Sequence, residues 1–385
     1  MRITVVGGGV IGLLTAIECV RASGAHQVDL VDAGPIPSPL ATSNDRLRVT
    51  RALHRGDPVL TAAAAGAHSA WLDVERLLGT RFYHPTGALT AMPAEQANLE
   101  LAELTADGAK AWALSPKDLA NWYPRVNFPL GSAAVLEATA GVLLADHALV
   151  AMARWLAEHP RARLLPHRQV VAVSEVEGDG VVRFADGATQ SSDRVVIAAG
   201  PWSRELLAGS VGPDLTLYRQ SVLSYRPPTC RRNWAEMPVV LGLGPNRDAW
   251  FMPTVAQSEA PMRLSAASAC RPVDEMTDRG TPDQWRHHLI DLFSQLIDGF
   301  DPAGVVGAND GYYLAERTQG GPLLAAYGSN TVWAFAACGG MSFKFAPQIA
   351  RAIADRAVGD SPRATGLESI DRPRQLAAVG EELTL

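Results

Sequence analysis

The sequence predicts an α/β fold, α+β overall, in which a domain built on parallel sheet carries an inserted domain of antiparallel sheet. Three features of the chain indicate this. Near the N-terminus a glycine-rich turn follows an apolar strand and opens a helix, which is typical of a βαβ unit. Residues 215–270 look strand-like and are interrupted by prolines, which favours antiparallel sheet. An apolar strand and a helix return near the C-terminus, which makes the first domain discontinuous in sequence.

The first βαβ unit follows from hydrophobic patterning. Ile3–Val6 is a continuous apolar run, as expected for a parallel strand that is buried on both faces. Val10–Arg21 has apolar residues at helical spacing, and Gly24 ends this helix. Val28–Val31 is the next strand.

The remaining elements are predicted by the same patterns. Further helices are expected over Ala62–Leu78, roughly Glu95–Gly108, His147–Glu158, Asp283–Ile297 and Ala346–Ala357. Further strands are expected as short segments within 81–137, as a hairpin over Gln169–Phe184 that turns at Gly178-Asp179-Gly180, and over Val195–Ala199 and Val332–Phe335. The segment Gly34–Asp57 lacks periodicity and predicts an ordered loop, and the polar tail after Gly359 predicts only partial order.

Composition and charge exclude several classes of protein. The formal net charge is −6 and there is no run of basic residues, which argues against nucleic acid or an anionic membrane as partner. The cysteines are scattered without a C-x-x-C pair, so we expect a reducing compartment. No run approaches the ~18 apolar residues of a membrane span, and the first strand begins too early for a signal peptide. We therefore expect a cytoplasmic protein without a membrane partner.

The glycine-rich turn reads Gly7-Gly8-Gly9-Val10-Ile11-Gly12 and fits the G-x-G-x-x-G dinucleotide fingerprint. Gly7 permits a tight turn, Gly9 lets the backbone approach a pyrophosphate, and Gly12 lets the helix pack close to the strand. Asp32 ends the next strand and can accept hydrogen bonds from ribose hydroxyls. The chain shows no metal-ligand spacing of histidines, no nucleophile elbow and no Walker loop, so hydrolase and kinase functions have no support.

Four later segments carry further motifs. They are Ser43-Asn44-Asp45-Arg46-Leu47-Arg48-Val49-Thr50-Arg51, Gly141–Glu158 followed by Val170, Val195–Gly200 with Pro201-Trp202-Ser203, and Gly339-Gly340-Met341-Ser342-Phe343-Lys344-Phe345. Together with Arg2–Asp32 they resemble the D-amino-acid-oxidase superfamily of flavoproteins, and within it the monomeric sarcosine oxidase and N-methyl amino acid oxidase branch. The resemblance spans nearly the whole chain in order and length.

This resemblance implies a Rossmann-type FAD-binding domain. The residues that it implies for FAD are Gly7, Gly9, Val10, Ile11, Gly12, Asp32, Ala33, Ser43, Arg48, Val170, Gly200, Trp202, Gly339, Gly340, Met341, Phe343 and Lys344. The branch links FAD to a cysteine upstream of the last motif, but the corresponding segment Gly311–Glu316 has none. We therefore expect non-covalent FAD, with Cys338 as a small buried hydrophobic residue.

The resemblance also assigns three cations to the reaction. Arg51 is expected to pair with a substrate carboxylate through its planar fork, and Lys344 is expected to add a second positive charge. Arg263 stands where the branch has a lysine that faces the flavin and promotes reaction with oxygen. The alternatives are a surface ion pair for Arg51, an exposed lysine at a helix start for Lys344, and an ordinary strand residue for Arg263.

The function implied is FAD-dependent oxidation of a C–N bond in a small amino or imino acid to the imine, with oxygen as the acceptor. A secondary amine, a cyclic imino acid, a D-amino acid and glycine all remain open as substrates. The alternatives are a flavin dehydrogenase with another acceptor, a non-catalytic flavin-binding subunit, and an NAD(P) dehydrogenase. The expected assembly is a monomer or small homo-oligomer. The predicted FAD-binding domain comprises residues 1–80, 139–210 and 306–385, and the substrate-binding domain residues 81–138 and 211–305.

Overall fold

The computed structural model of the protein describes residues 1–106, 108–207, 215–227, 234, 236–255, 258–316 and 324–375. Its helices are α1 Val10–Arg21, α2 Pro58–Leu78, α3 Ala94–Ala106, α4 Pro116–Trp122, α5 Ala145–Glu158, α6 Ser203–Leu206, α7 Asp283–Leu296, α8 Ser342–Val358 and α9 Glu368–Asp371. Its strands before residue 200 are β1 Arg2–Val6, β2 Gln27–Val31, β3 Leu47–Thr50, β4 Tyr83–His84, β5 Ala88–Pro93, β6 Ala111–Leu114, β7 Ser132–Glu137, β8 Gly141–Leu144, β9 Ala162–Leu165, β10 Val170–Val176, β11 Asp179–Phe184, β12 Thr189–Ser192 and β13 Arg194–Ile197. Those after it are β14 Leu215–Tyr225, β15 Val239–Leu243, β16 Ala249–Met252, β17 Met262–Ala266, β18 Cys270–Val273, β19 Val305–Glu316, β20 Leu324–Gly328, β21 Val332–Cys338 and β22 Arg374–Gln375.

A mostly parallel sheet forms the base of the molecule. Within the described residues it has seven strands in the order β22-β20-β21-β13-β1-β2-β9, and β1 pairs in parallel with both β2 and β13. Ile3 and Val5 point into the core that contains α1, α5 and α8, whereas Val6 and Val195 point into the core beneath β10 and β11. Because β1 is buried on both faces, its continuous apolar run is explained, and the predicted α/β domain is confirmed.

A second, mostly antiparallel sheet lies beside it. Its nine described strands follow the order β18-β14-β17-β16-β15-β5-β7-β6, with β19 paired to β14 and with β15 and β5 as a parallel pair. Along β14 buried and half-buried residues alternate. Leu223 and Tyr225 face the core that contains Phe293 of α7, while Gln220 and Val222 line a cavity on the other face. The predicted mixture of parallel and antiparallel layers is therefore present.

Two predicted elements differ from the structure in ways that affect the cavity. The segment expected as a loop over Gly34–Asp57 contains β3, which pairs with β8, a strand almost a hundred residues later. The closing helix begins at Ser342 rather than at Ala346, which places Lys344 in its first turn. As a result, Arg51 directly follows strand β3 and Lys344 lies at the start of helix α8.

Other boundaries shift by a few residues. Helix α2, predicted over Ala62–Leu78, begins at Pro58 instead. Asp57 accepts a hydrogen bond from the Leu60 amide, and Pro58 suits the first turn. The hairpin turns at residues 177–178, since Asp179 already pairs with Val176. Helix α4 was not predicted at all.

The limits of the two domains stay a prediction. One strand bears on them directly, because β19 pairs with β14 along the antiparallel sheet although the predicted limit at residue 306 assigns it to the FAD-binding domain. Residues 208–210, 317–323 and 376–385 of that predicted domain lie outside the described residues, as do residues 107, 211–214, 228–233, 235 and 256–257 of the other.

Candidate active site

A cavity of about 810 Å³ lies between the two large sheets. One side is formed by the glycine turn after β1, the loop that leads into β3, the turn after β13 and the start of α8. The other side is formed by residues of β14, β15, β16, β17 and β19. In an open parallel sheet, ligands bind outside the carboxyl ends of the strands, which is where the first side of this cavity lies.

The glycine turn is shaped by two close backbone approaches. Gly7 has φ +111°, and a Cβ there would lie 2.4 Å from the Ala198 carbonyl oxygen. A Cβ on Gly12 would lie 1.8 Å from the Gly7 carbonyl oxygen. Gly7 and Gly9 line the cavity, whereas Gly12 is not among its lining residues. Gly12 therefore acts by letting α1 pack against the turn, and not through a cavity-facing surface of its own.

Two polar side chains organise this end of the cavity. The Asp32 carboxylate accepts the Gly8 amide at 2.7 Å and the Gly34 amide at 2.8 Å. The Ser43 hydroxyl accepts the Val10 amide at 3.1 Å, at the start of α1. Helix N-terminal amides bind anions, and a carboxylate oxygen that accepts one amide can still accept a hydroxyl. These groups fit the pyrophosphate and ribose of a dinucleotide.

The other residues predicted to bind the cofactor also line this cavity. They are Val10, Ile11, Ala33, Arg48, Val170, Gly200, Trp202, Gly339, Gly340, Met341, Phe343 and Lys344. Cys338, expected to be a plain core residue, is a lining residue as well. Burial raises the pKa of its thiol, so this side chain presents a neutral group.

Arg51 and Lys344 come from opposite ends of the chain and both line the cavity. Lys344 is 5% exposed, so the alternative of an exposed lysine is wrong. Burial, together with repulsion from Arg51, holds the pKa of the Lys344 ammonium well below its ordinary value. Burial likewise lowers the pKa of the Arg51 guanidinium to about 10. Among the described residues, the buried Nε of Arg51 has no hydrogen-bond partner, which leaves a donor without an acceptor.

Two residues near these cations were not predicted. Glu137 is 4% exposed at the end of β7, and its carboxylate accepts the amides of Ala52 at 2.9 Å and Leu53 at 3.2 Å. Burial raises the pKa of Glu137, and these amide bonds oppose the shift. The Nε2 atom of His54 lies 2.9 Å from Lys344 Nζ. Neither residue belongs to a motif, and an acid at the end of an apolar strand was the only sequence signal.

Arg263 does not face the cavity as an isolated cation. It is 4% exposed, and its guanidinium contacts the Asp45 carboxylate and the Asn309 side-chain oxygen, each at 3.0 Å. Arg48 contacts the same Asp45 oxygen at 2.6 Å. Burial would raise the pKa of Asp45, but the two arginines outweigh it and lower the pKa to about 2. Arg263 therefore lines the cavity with its charge shared across a three-residue network.

An apolar wall lies on the antiparallel sheet. Val239 and Leu241 of β15 and Trp250 and Met252 of β16 all line the cavity. Leu241 and Trp250 are direct neighbours across the two strands. Strand β16 also packs against β3, which leads into Arg51. The wall thus faces the part of the cavity that contains the cations.

Two kinds of feature were not found in the described part of the chain. It contains no group of three or more His, Cys, Asp or Glu side chains able to hold a metal ion. It also contains no helix long and apolar enough to cross a membrane.

Among curated proteins, the chain is similar to two peroxisomal sarcosine oxidases. It is 26% identical to that of Mus musculus over 214 residues, which is 53% of this chain and 51% of the relative. It is 24% identical to that of Homo sapiens over the same length and the same shares of each chain. The chain therefore aligns with about half the length of the curated relatives that it matches.

Solved structures show the same fold over nearly the whole chain. The open form of NikD, described as an unusual amino acid oxidase essential for nikkomycin biosynthesis, has a TM-score of 0.80 and 18% identity over 99% of each chain. Glycine oxidase from Geobacillus kaustophilus has a TM-score of 0.77 and 17% identity over 99% of each chain. L-Proline dehydrogenase from P. horikoshii has a TM-score of 0.76 and 17% identity over 96% of this chain and 97% of that one.

A family match covers most of the chain. Residues 2–356 match the family described as FAD dependent oxidoreductase (DAO). The match includes the glycine turn, Asp32, and the helix start that carries Lys344. The resemblance inferred from the motifs is confirmed. The chain belongs to the DAO family of FAD-dependent oxidoreductases.

Proposed function

We propose that the protein oxidises a C–N bond of a small amino or imino acid to the imine, with oxygen as the electron acceptor. The observation that carries this proposal is that Arg51 and Lys344 both line the cavity that the glycine turn also lines, close enough for Arg51 to lower the pKa of Lys344. Non-covalent FAD, when bound there, would accept a hydride from the carbon next to nitrogen. Sarcosine oxidases, glycine oxidase and L-proline dehydrogenase among the similar proteins agree with a small amine substrate.

The cations have the properties needed to bind a substrate carboxylate. An arginine fork pairs with both carboxylate oxygens, and a lysine adds a point charge. Within the described residues Arg51 has a buried donor without an acceptor, and the buried Lys344 ammonium is repelled by Arg51. A bound carboxylate would supply the missing acceptor and reduce the repulsion. The site is therefore arranged for an anion before one is present.

The rest of the substrate would lie against the apolar wall. Val239, Leu241, Trp250 and Met252 offer no charge to a substrate side chain. Burying one CH₂ group contributes about 0.8 kcal/mol, so a side chain of several carbons gains substantially there. We therefore propose amino or imino acids with an apolar or cyclic side chain in preference to those with a second charge.

The test is an anaerobic absorbance titration of purified protein with a panel of amino and imino acids. A carboxylate-bearing amine should bleach the flavin band, whereas the same amine without its carboxylate should do so much more weakly. Denaturing the same preparation should release FAD into solution, because no covalent link is proposed. If no member of the panel bleaches the band, the alternative of a non-catalytic flavin-binding subunit is favoured.

The pairing of Arg263 with Asp45 supports a second candidate, a dehydrogenase that uses an acceptor other than oxygen. A shared positive charge stabilises developing negative charge less than a free one does. For an oxidase, Arg263→Met should slow reaction of the reduced protein with oxygen about tenfold, since one electrostatic contact in a dry site contributes about 1–3 kcal/mol. Stopped-flow mixing with oxygenated buffer measures this rate. A wild-type rate that is negligible would establish the dehydrogenase, and an unchanged rate in the variant would remove Arg263 from the oxygen step.

Activity should depend on pH with two limbs. A substrate amine must be unprotonated to release hydride, so kcat/KM rises with pH through the pKa of the amine. Because the pKa of Lys344 is lowered, the ammonium and its attraction for carboxylate are lost as pH rises through that lowered pKa, and kcat/KM then falls. Lys344→Arg should move the descending limb to higher pH. A descending limb unchanged in this variant would show that another group causes it.

A further inference from the structure

Lys344 is held at both ends of its residue. The Trp71 indole donates to the Lys344 carbonyl oxygen at 2.9 Å, which fixes the backbone. At the other end, Nζ lies 2.9 Å from His54 Nε2. A lysine stem has four rotatable carbons, and Arg51 repels the ammonium, so without a partner the group would turn away from Arg51. Among the described residues, His54 is the hydrogen-bond partner that holds the Lys344 ammonium in the cavity wall.

The hydrogen bonds of His54 define its tautomer. Its Nδ1 lies 2.7 Å from the Ala52 carbonyl oxygen. A carbonyl only accepts, so Nδ1 carries the proton. In a neutral imidazole the other nitrogen is then a lone pair, and it accepts from the Lys344 ammonium. Burial, followed by repulsion from Lys344 and Arg51, lowers the pKa of His54 to about 2, which agrees with a neutral ring.

The segment that carries His54 is itself fixed from three directions. Glu137 accepts the amides of Ala52 and Leu53, as described above. The His54 amide donates to the Thr61 hydroxyl of α2 at 3.0 Å. On the far side, the amide of Gly56 donates to the buried carboxylate of Glu100 at 2.9 Å. A segment this firmly held places the imidazole at a constant position against α8.

We propose that His54 is a positioning residue, which accepts a hydrogen bond from the Lys344 ammonium and thereby directs its remaining protons toward the substrate carboxylate. The proposal rests on the proposed function, because it assigns Lys344 to carboxylate binding. His54 acts through Lys344 and does not itself touch the substrate. Unlike Arg51 and Lys344, His54 is neutral in this role, because a protonated ring would repel both cations.

The first test compares His54→Phe with His54→Gln. Phenylalanine keeps a ring beside Phe345, which stacks on His54 with ring centroids 6.3 Å apart, but it cannot accept a hydrogen bond. Glutamine keeps an acceptor oxygen. His54→Phe should raise the KM of a carboxylate-bearing amine and the Kd of an inert carboxylate about tenfold, the size of one lost hydrogen bond to a charged group, with kcat changed less than about threefold. His54→Gln should recover most of the affinity.

The second test does not depend on turnover. Long-range proton–nitrogen spectra of wild-type holoenzyme with isotope-labelled histidine report the tautomer of each ring, and His54→Gln assigns the signal. The His54 signal should remain that of the Nδ1–H neutral ring from about pH 5 to about pH 9. The charged groups facing it are Lys344 and Arg51, with Glu137 behind the backbone that carries it.

Each result has a distinct meaning. Equal carboxylate affinity in His54→Phe and wild type, or a His54 ring that protonates near its ordinary pKa, overturns the positioning role. The positioning role is also overturned if His54→Gln has normal FAD content but does not recover carboxylate affinity. A hydrogen-bond acceptor at this position would then not be enough to position Lys344. If no amine is oxidised but the spectra and the inert-carboxylate affinities behave as expected, the proposed function fails and the positioning of Lys344 stands.

Discussion

Arg51→Met and Lys344→Met should each raise the KM of a carboxylate-bearing amine about a hundredfold, because removing one partner of a buried, hydrogen-bonded charge pair costs about 2–5 kcal/mol. In the part of the chain that the structure describes, Arg51 has an unpaired buried donor, and Lys344 is only 5% exposed, so a bound carboxylate would give both cations an acceptor. Steady-state kinetics with the best substrate of the panel provide the measurement. An amine without a carboxylate should be affected far less.

The control for this pair is Arg55→Gln. Arg55 lies four residues after Arg51 and is exposed. Its repulsion contributes to the lowered pKa of Arg51. Its replacement should change KM less than about threefold, as expected for an exposed charge. An equal effect in Arg55→Gln and Arg51→Met would show that general charge, and not a fixed contact, governs binding.

Lys344→Met should weaken substrate binding without lowering the stability of the fold. Burial disfavours the charged form of Lys344, and Arg51 repels it. Burying a charge costs free energy, and an apolar side chain of similar volume at this position removes that cost and the repulsion from Arg51. Thermal unfolding of Lys344→Met should therefore occur at the wild-type temperature or above it. This result would also separate a loss of substrate affinity from a loss of fold.

Gly12→Ala should reduce FAD content to less than about a tenth of that of wild type, because the new Cβ would lie 1.8 Å from the Gly7 carbonyl oxygen. Backbone atoms cannot turn aside as a flexible side chain can, so the turn between β1 and α1 must move. This movement would displace Gly9 and the Val10 amide from the cavity. The ratio of flavin absorbance to protein absorbance in the purified variant measures the effect.

Gly307→Ala is the matched control. It lies in β19 and has ordinary backbone angles, and its Cβ would meet Ser224 at 3.8 Å, which is normal contact. Its FAD content should equal that of wild type. Circular dichroism of both variants distinguishes a folded apoprotein from an unfolded chain. Full FAD content in Gly12→Ala would mean that the fingerprint turn tolerates a side chain and does not form the dinucleotide cradle as described.

Much of the base of the molecule could be predicted, because its rules are local. The apolar run of β1, the glycine turn and the apolar helix α1 are each specified within a few neighbouring residues. The family motifs added the later segments, which lie along one cavity. The assignment of Arg51 and Lys344 to the substrate carboxylate came from these motifs, and it stays a prediction.

The unpredicted features depend on distant parts of the chain. Strand β3 exists because it pairs with β8, and no local pattern indicates that partner. Helix α8 begins at Ser342, four residues before the predicted start, and it carries Pro347 within the helix. Glu137 and His54 join the site only through tertiary contacts with Ala52 and Lys344.

The central claim is that Arg51 and Lys344 grip one carboxylate. A crystal structure of the holoenzyme with an inert carboxylate ligand tests it most directly. The account predicts ligand oxygens within about 3 Å of both the Arg51 guanidinium and Lys344 Nζ. A ligand carboxylate bound elsewhere in the cavity, with neither cation in contact, would contradict it.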